Sequence, residues 1–325
     1  MKKVSVGVDI GGTNTAIGVV DELGHVLTKD NISTPDHGNI NQYIDELAGA
    51  IKTLITNAKL MNENIEIVGI GVGAPNGNYY TGTIEYAPNL SFKGVVQVVR
   101  LLRGHFPDLN AIALTNDANA AAIGEMIYGG AKGMKNFVMY TLGTGVGSGI
   151  VVNGDLVYGH DGFAGECGHT TLIPGGRICG CGAHGHLEAY CSAPGMKRTA
   201  FELLAKYNAV DSPLAKYSYN ELTSKMIYDA AMDGDKVANE VFELTGKYLG
   251  QGIADTIHHL SPEAIFLFGG PLAAGDLILK PTKEAMEAHL LPIFKNKIKV
   301  LPSKLEAGDA AIVGASALAW KELEK

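Results

Sequence analysis

Four cysteines in 325 residues, no run of lysine and arginine, and no long apolar stretch free of glycine each close off a class of protein. In a reducing compartment so few cysteines are free or metal-bound rather than paired, and no C-x-x-C redox motif is present. A disulfide between Cys179 and Cys181 would enclose only Gly180 and would be strained. The formal net charge of -8 repels a phosphate backbone, and no basic patch overrides it, so nucleic acid is not an expected partner. The N-terminal "MKKVSVGVDIGG" starts basic, but Asp9 and a glycine pair interrupt its apolar run before a signal-peptide core could form. A cytoplasmic protein is expected. The longest uncharged stretch, "NFVMYTLGTGVGSGIVVNG", carries Gly143, Gly145, Gly147 and Gly149, poor residues for a helix facing lipid. It reads as two strands around a tight turn, and no membrane contact is expected.

What is present suits a large soluble core: 46% of the residues are hydrophobic, in a chain long enough for about two domains. Three short strands, 2–10, 15–21 and 25–33, are separated by the turns "GGTN" and "ELG". Ile44, Leu47, Ile51, Leu54 and Ile55 recur at helical spacing within 39–61, and the apolar run at 65–75 reads as a buried strand. A helix over 95–106, a strand over 110–117 and a glycine-closed helix over 118–130 follow. The pattern then restarts with strands at 137–143, 147–154 and 155–159 around an Asn153-Gly154 hairpin turn. Gly12-Thr13 aligns with Gly143-Thr144, and Gly18 with Gly149, which predicts a duplication. Beyond the insertion at 161–191, helices are expected over 193–207, 219–234 and 236–260, then a strand at 264–270 and a closing helix over 308–325.

A duplicated unit of meander and helix with Gly-Thr turns resembles the actin-like ATPase superfamily, an α/β, ribonuclease H-like fold of two domains around a cleft. Within it, "DIGGTN", "NDANAAAIGE", "TLGTGVGSGIV", the run "GECGH…CGCG…GHLE" and "FGG" occur in the order found in the ROK family of sugar kinases and sugar-responsive repressors, spanning residues 9 to 270. The resemblance implies an ATP-dependent hexose kinase, glucokinase-like, with Mg²⁺ on the nucleotide. Kinases of N-acetylglucosamine, N-acetylmannosamine or fructose remain open alternatives, as does a silent sugar sensor. Repressor members carry a DNA-binding segment ahead of the phosphate turn, where only eight residues precede Asp9 here.

The chemistry of each motif fits that reading. Glycines at Gly11 and Gly12 let backbone N–H groups approach phosphate oxygens, and Thr13 and Asn14 add donors. Asp9, at a strand end, is placed to act on phosphate-bound Mg²⁺ through water. Gly143, Thr144 and Gly145 offer a second phosphate turn, and the resemblance puts Gly269 and Gly270 against the adenosine. Phosphoryl transfer to a sugar hydroxyl needs a carboxylate to accept its proton, and the family places that base at Asp117. An aspartate opening a helix is also an ordinary N-cap. Asn116, Glu166 and Glu188 are suited to sugar hydroxyls, while Asn89 and the "GAPN" turn at Gly73 match family positions in the same pocket.

The spacing H-x9-C-x-C-x4-H offers His169, Cys179, Cys181 and His186, a set suited to structural Zn²⁺. The family's usual run is C-x-C-x4-C, with cysteine where this chain has His186, and His184 is a rival fourth ligand. Cys167 and Cys191 match no ligand position and are expected as buried thiols. One ring nitrogen of His169 could then bind metal while the other meets the sugar. The expected division is a small domain of 1–116 plus 306–325 and a large domain of 117–305, with closure over bound sugar. The resemblance further implies a homodimer.

Overall fold

A computed structural model describes residues 1–34, 39–306 and 308–324. Strands β1 (Lys2–Ile10), β2 (Asn14–Asp21) and β3 (Val26–Ser33) form an antiparallel meander. Helix α1 (Ile40–Met61), capped by the Asn39 side chain, crosses to β4 (Ile65–Gly73), which lies parallel to β1. The strands β5 (Gly77–Asn78), β6 (Thr83–Glu85) and β7 (Val95–Val96) make a small sheet of their own. Because Val95 and Val96 pair with β6, α2 (Val98–His105) starts three residues later than its periodicity predicts. Then come β8 (Ala111–Thr115) and α3 (Asp117–Ile127).

The pattern restarts with β9 (Phe137–Leu142), β10 (Val146–Val152) and the two-residue β11 (Asp155–Leu156), shorter than the expected 155–159. Asn153 and Gly154 turn the hairpin with φ of 55° and 87°. Helices α4 (Glu188–Cys191), α5 (Ala193–Tyr207), α6 (Ser224–Met232) and α7 (Lys236–Leu260) follow. The helix expected from 219 begins only at Ser224, where the Thr223 hydroxyl accepts the Met226 N–H and caps it. After β12 (Ala264–Phe268) come α8 (Asp276–His289), β13 (Lys299–Pro302) and α9 (Ala310–Leu323). Neither α8 nor β13 is foreseen from the sequence; Pro281 inside α8 breaks the pattern that would announce it.

The two main sheets run β3-β2-β1-β4-β8 and β11-β10-β9-β12-β13, the same order twice, so the duplication read from the glycine-threonine pairs is real. One face of the first sheet carries Val4, Val6, Val8, Ile70 and Val72 in a core shared with Leu47 and Ile51 of α1. Across the sheet, Gly18, Gly7 and Gly71 fall in register on β2, β1 and β4. A Cβ on Gly7 would overlap the Ile312 carbonyl, and one on Gly71 the Ala315 carbonyl, so this glycine row seats the backbone of α9 directly.

Two compact units result: Met1–Met134 with Gly149–Gly165 and Ser303–Lys325, and Lys135–Ser148 with Glu166–Pro302. The first extends past the expected boundary at Asn116 because α3 packs on α9, where a Cβ on Gly124 would lie 2.8 Å from the Gly314 Cα. The buried Glu125 carboxylate fixes the arrangement, accepting the Gly130 N–H at 2.6 Å and the Lys304 N–H at 3.1 Å. Among the described residues no helix is long and apolar enough to cross a membrane.

Candidate functional site

In the first unit, Asp9 sits one residue from the end of β1 and pairs in register with Gly73 at the end of β4. Asp117 begins α3 immediately after β8, so three parallel neighbouring strands deliver Asp9, Gly73 and Asp117 to one end of the sheet. Burial raises the Asp9 carboxyl to about 6, and the Asp117 charge adds to it. Burial also raises Asp117, against its hydrogen bond from the Ala118 N–H. The N-cap role belongs to Asn116, whose Oδ1 accepts the same Ala118 N–H at 2.8 Å. Asp117 is thereby relieved of the capping task that its position suggests.

The turn Gly11–Gly12–Thr13–Asn14 is closed by the Gly11 N–H on the Asn14 carbonyl at 3.0 Å, and Gly12, Thr13 and Asn14 are exposed. A Cβ on Gly12 would stand 2.7 Å from the Asn89 carbonyl, so the loop of Asn89 lies against this turn. Gly11 and Gly12 keep side-chain bulk out of the first half of this turn.

The second unit carries the matching turn. The Gly143 N–H donates to the Gly145 carbonyl, and the Gly143 carbonyl accepts from Ala193 at the start of α5. Gly269, with φ 123°, follows β12 so closely beneath β9 that a Cβ would overlap the Leu142 carbonyl. Gly143, Gly145, Gly269 and Gly270 are thus neighbours around the ends of two paired strands.

Within the insertion, His169, Cys179, Cys181 and His186 bring one donor atom each within 4.8 Å of the others. The His169 Nδ1 to His186 Nδ1 distance is 3.4 Å, His169 Nδ1 to Cys179 Sγ 3.7 Å, and Cys181 Sγ to His186 Nδ1 3.3 Å. These match the roughly 3.3–3.8 Å edges of a tetrahedron built from Zn–N and Zn–S bonds. The rival His184 is directed elsewhere: its Nδ1 meets the Gly176 carbonyl at 3.1 Å, and its backbone bridges Ile178. Burial pushes the Cys179 thiol up, the direction a bound cation opposes. His169 turns its Nε2 toward Glu166 Oε2, 3.8 Å away. Of the other thiols, Cys191 is buried as expected, whereas Cys167 is only half-buried in a short 3-10 turn, Cys167–His169.

One residue escaped the sequence reading. Arg177 pins the insertion to α4 and α5, donating to the Ala189 and Gly195 carbonyls, Thr199 Oγ1 and Glu202. A lone arginine among glycines offers no motif. Glu188, expected to serve sugar hydroxyls, also accepts the Val146 N–H at 3.0 Å through Oε2.

The family model for the ROK family matches residues 5–322. The chain belongs to the ROK family. ROK sugar kinases have the actin-like ATPase fold, and the doubled five-stranded sheet is that fold here. This ROK chain is 35% identical to a glucokinase of Halalkalibacterium halodurans, over 95% of its own length and 92% of the relative's. It is 33% identical to a glucokinase of Streptomyces coelicolor, over 97% of each. Among solved structures, it is similar to a ROK family glucokinase from Streptomyces griseus in complex with glucose and AMPPNP. That match has a TM-score of 0.79 and 31% identity, and covers 98% of this chain and 99% of the other.

Proposed function

We propose that the protein is an ATP-dependent glucokinase that transfers the γ-phosphoryl group of ATP to the 6-hydroxyl of glucose. The observation that carries this reading is the 31% identity, over 98% of the chain, to a glucokinase solved with glucose and AMPPNP. Asp117 accepts the hydroxyl proton as the sugar oxygen forms its bond to the γ-phosphorus; the bond from that phosphorus to the bridging oxygen breaks, and ADP leaves with the electron pair. Burial supports this assignment, since it raises the proton affinity of Asp117 toward that of a working base.

Gly73, Asn89, Asn116, Glu166, His169 Nε2 and Glu188 hold the sugar in this proposal. Gly11, Gly12, Thr13 and Asn14 with Gly143, Thr144 and Gly145 hold the phosphates, and Gly269 and Gly270 line the adenosine. Asp9 would hold the Mg²⁺ that accompanies ATP, which would neutralise phosphate charge. His169, Cys179, Cys181 and His186 would hold Zn²⁺, which supplies a structural cross-link for the loop bearing Glu166 and His169. By family resemblance the reading extends to a cytoplasmic homodimer, which light scattering tests.

A coupled assay of ADP release over glucose, N-acetylglucosamine, N-acetylmannosamine, mannose and fructose tests the reading. Turnover highest on glucose is expected. Preference for another sugar would transfer the same chemistry to that acceptor, and no turnover on any sugar in folded protein would overturn the kinase reading.

A further inference from the structure

A groove of about 480 Å³ opens on the first unit along the outer edge of its main sheet, where β8 is the last strand in the order. Ile112–Leu114 form its floor, Arg100 and Arg103 of α2 one wall, Tyr79 and Tyr80 after β5 the other, and Glu322 of α9 completes it. A Cβ on Gly77 would overlap the Thr115 carbonyl, so β5 covers the end of this edge and leaves a run too short for an added peptide strand. Arg100 and Arg103 stand three residues apart on α2, hence on one face, and both are exposed. Among the described residues neither has a carboxylate within ion-pairing distance, whereas His105 of the same helix meets Asp45 at 3.0 Å. The tyrosine wall is fixed in advance. Tyr79 stacks on Tyr158 with ring centroids 4.1 Å apart and donates its hydroxyl to Glu322. Tyr80 meets both rings edge-on and donates its hydroxyl to the Gly159 carbonyl at 2.9 Å, yet it stays 57% exposed.

We propose that this groove is a binding site for a phosphorylated sugar, separate from the site at Asp117. The two guanidinium groups supply planar N–H forks for phosphate oxygens. Glu322 accepts the Tyr79 hydroxyl, and because a carboxylate accepts several such bonds it can also take a sugar hydroxyl, a group that a bare anion lacks. Tyr80 offers the C–H face of the sugar an apolar surface whose position costs nothing further to fix. A nucleobase fits less well, since Tyr158 already covers one face of Tyr79. The volume falls within the roughly 300–1,000 Å³ of small-molecule pockets. No residue of the groove serves the sugar or the nucleotide in the kinase reading, so the proposal stands or falls independently of it.

Calorimetric titration of the full chain with glucose 6-phosphate, AMP and inorganic phosphate tests it, on wild type and on the double variant Arg100→Ala/Arg103→Ala. Both side chains are exposed, so their removal opens no cavity, and thermal melting checks that the variant is folded. Glucose 6-phosphate is expected to bind wild type more tightly than AMP or inorganic phosphate, and to weaken at least about 10-fold in the double variant. Tyr80→Ala is expected to weaken glucose 6-phosphate and to leave inorganic phosphate unchanged. Hydrogen exchange locates the ligand without any substitution: glucose 6-phosphate is expected to slow exchange in a wild-type peptide covering 98–105. Binding that ignores both arginines, or that leaves exchange at 98–105 unaltered, puts the ligand at another site and overturns the proposal. Absence of binding at millimolar glucose 6-phosphate overturns it too. AMP or inorganic phosphate bound as tightly as glucose 6-phosphate would overturn the assignment to a sugar.

Discussion

Asp9 Oδ1 and the Asp117 Cα lie at the same distance, 3.7 Å, from the point where a Cβ of Gly73 would stand. The glycine leaves the space between the two aspartates clear, and desolvation by the surrounding protein raises the proton affinity of both carboxyls.

The elevated Asp9 predicts a stability penalty in the ligand-free protein. An unfolded aspartate releases its proton near 3.8, whereas the folded one holds it to about 6. Stability therefore falls as pH rises from 3.8 to 6, and about 3 kcal/mol remains lost above that window. Asp9→Asn abolishes this penalty. Calorimetric melting is expected to show the variant more stable than wild type at pH 7.5, with the gap closing toward pH 4, while its activity with Mg-ATP is lower.

Removing the base has a different signature. Asp117→Asn keeps the shape of the first turn of α3 and loses the proton acceptor. Its kcat is expected to fall at least about 100-fold, with KM for the sugar changed only a few-fold. A loss confined to KM would assign Asp117 to sugar binding alone.

Metal content distinguishes His184 from His186, two residues apart in sequence. His186→Ala is expected to lose stoichiometric zinc, whereas His184→Ala, which removes only a contact to the Gly176 carbonyl, retains it. Atomic emission on dialysed protein reads both. Equal loss from the two variants would reopen the ligand set.

Gly71→Ala places a methyl group against the Ala315 carbonyl in α9. The helix must lift from the sheet or the strand must bend, at a cost of about 3 kcal/mol, the upper range for overpacking. Urea unfolding measures the change; a midpoint equal to that of wild type would mean that α9 tolerates displacement.

The meanders, α1, α7 and the Gly-Thr turns were legible because their signals are local: alternation, helical spacing and glycine at tight turns. Legibility ended where tertiary pairing overrides local preference. Val95 and Val96 carry the periodicity of α2 yet join β6, and α8 forms around Pro281, which local rules count as a breaker. The site shows the same division. The cluster spacing named the four donors, but choosing His186 over His184 required the backbone bridge that turns His184 to Gly176. The capping role of Asn116, the anchor at Arg177 and the second contact of Glu188 depend on partners remote in sequence or on side-chain direction, and no motif announces them.

The glycine row on β2, β1 and β4 also has a consequence in time. Its cover, α9, is translated only after the whole second unit, so a nascent chain carries the first sheet with one face bare while synthesis proceeds. Pairings this distant in sequence form slowly, and an uncovered sheet is open to association with other chains. The first unit cannot mature on the ribosome ahead of the second, and a chain halted before residue 310 would leave it as a substrate for chaperones rather than a folded domain.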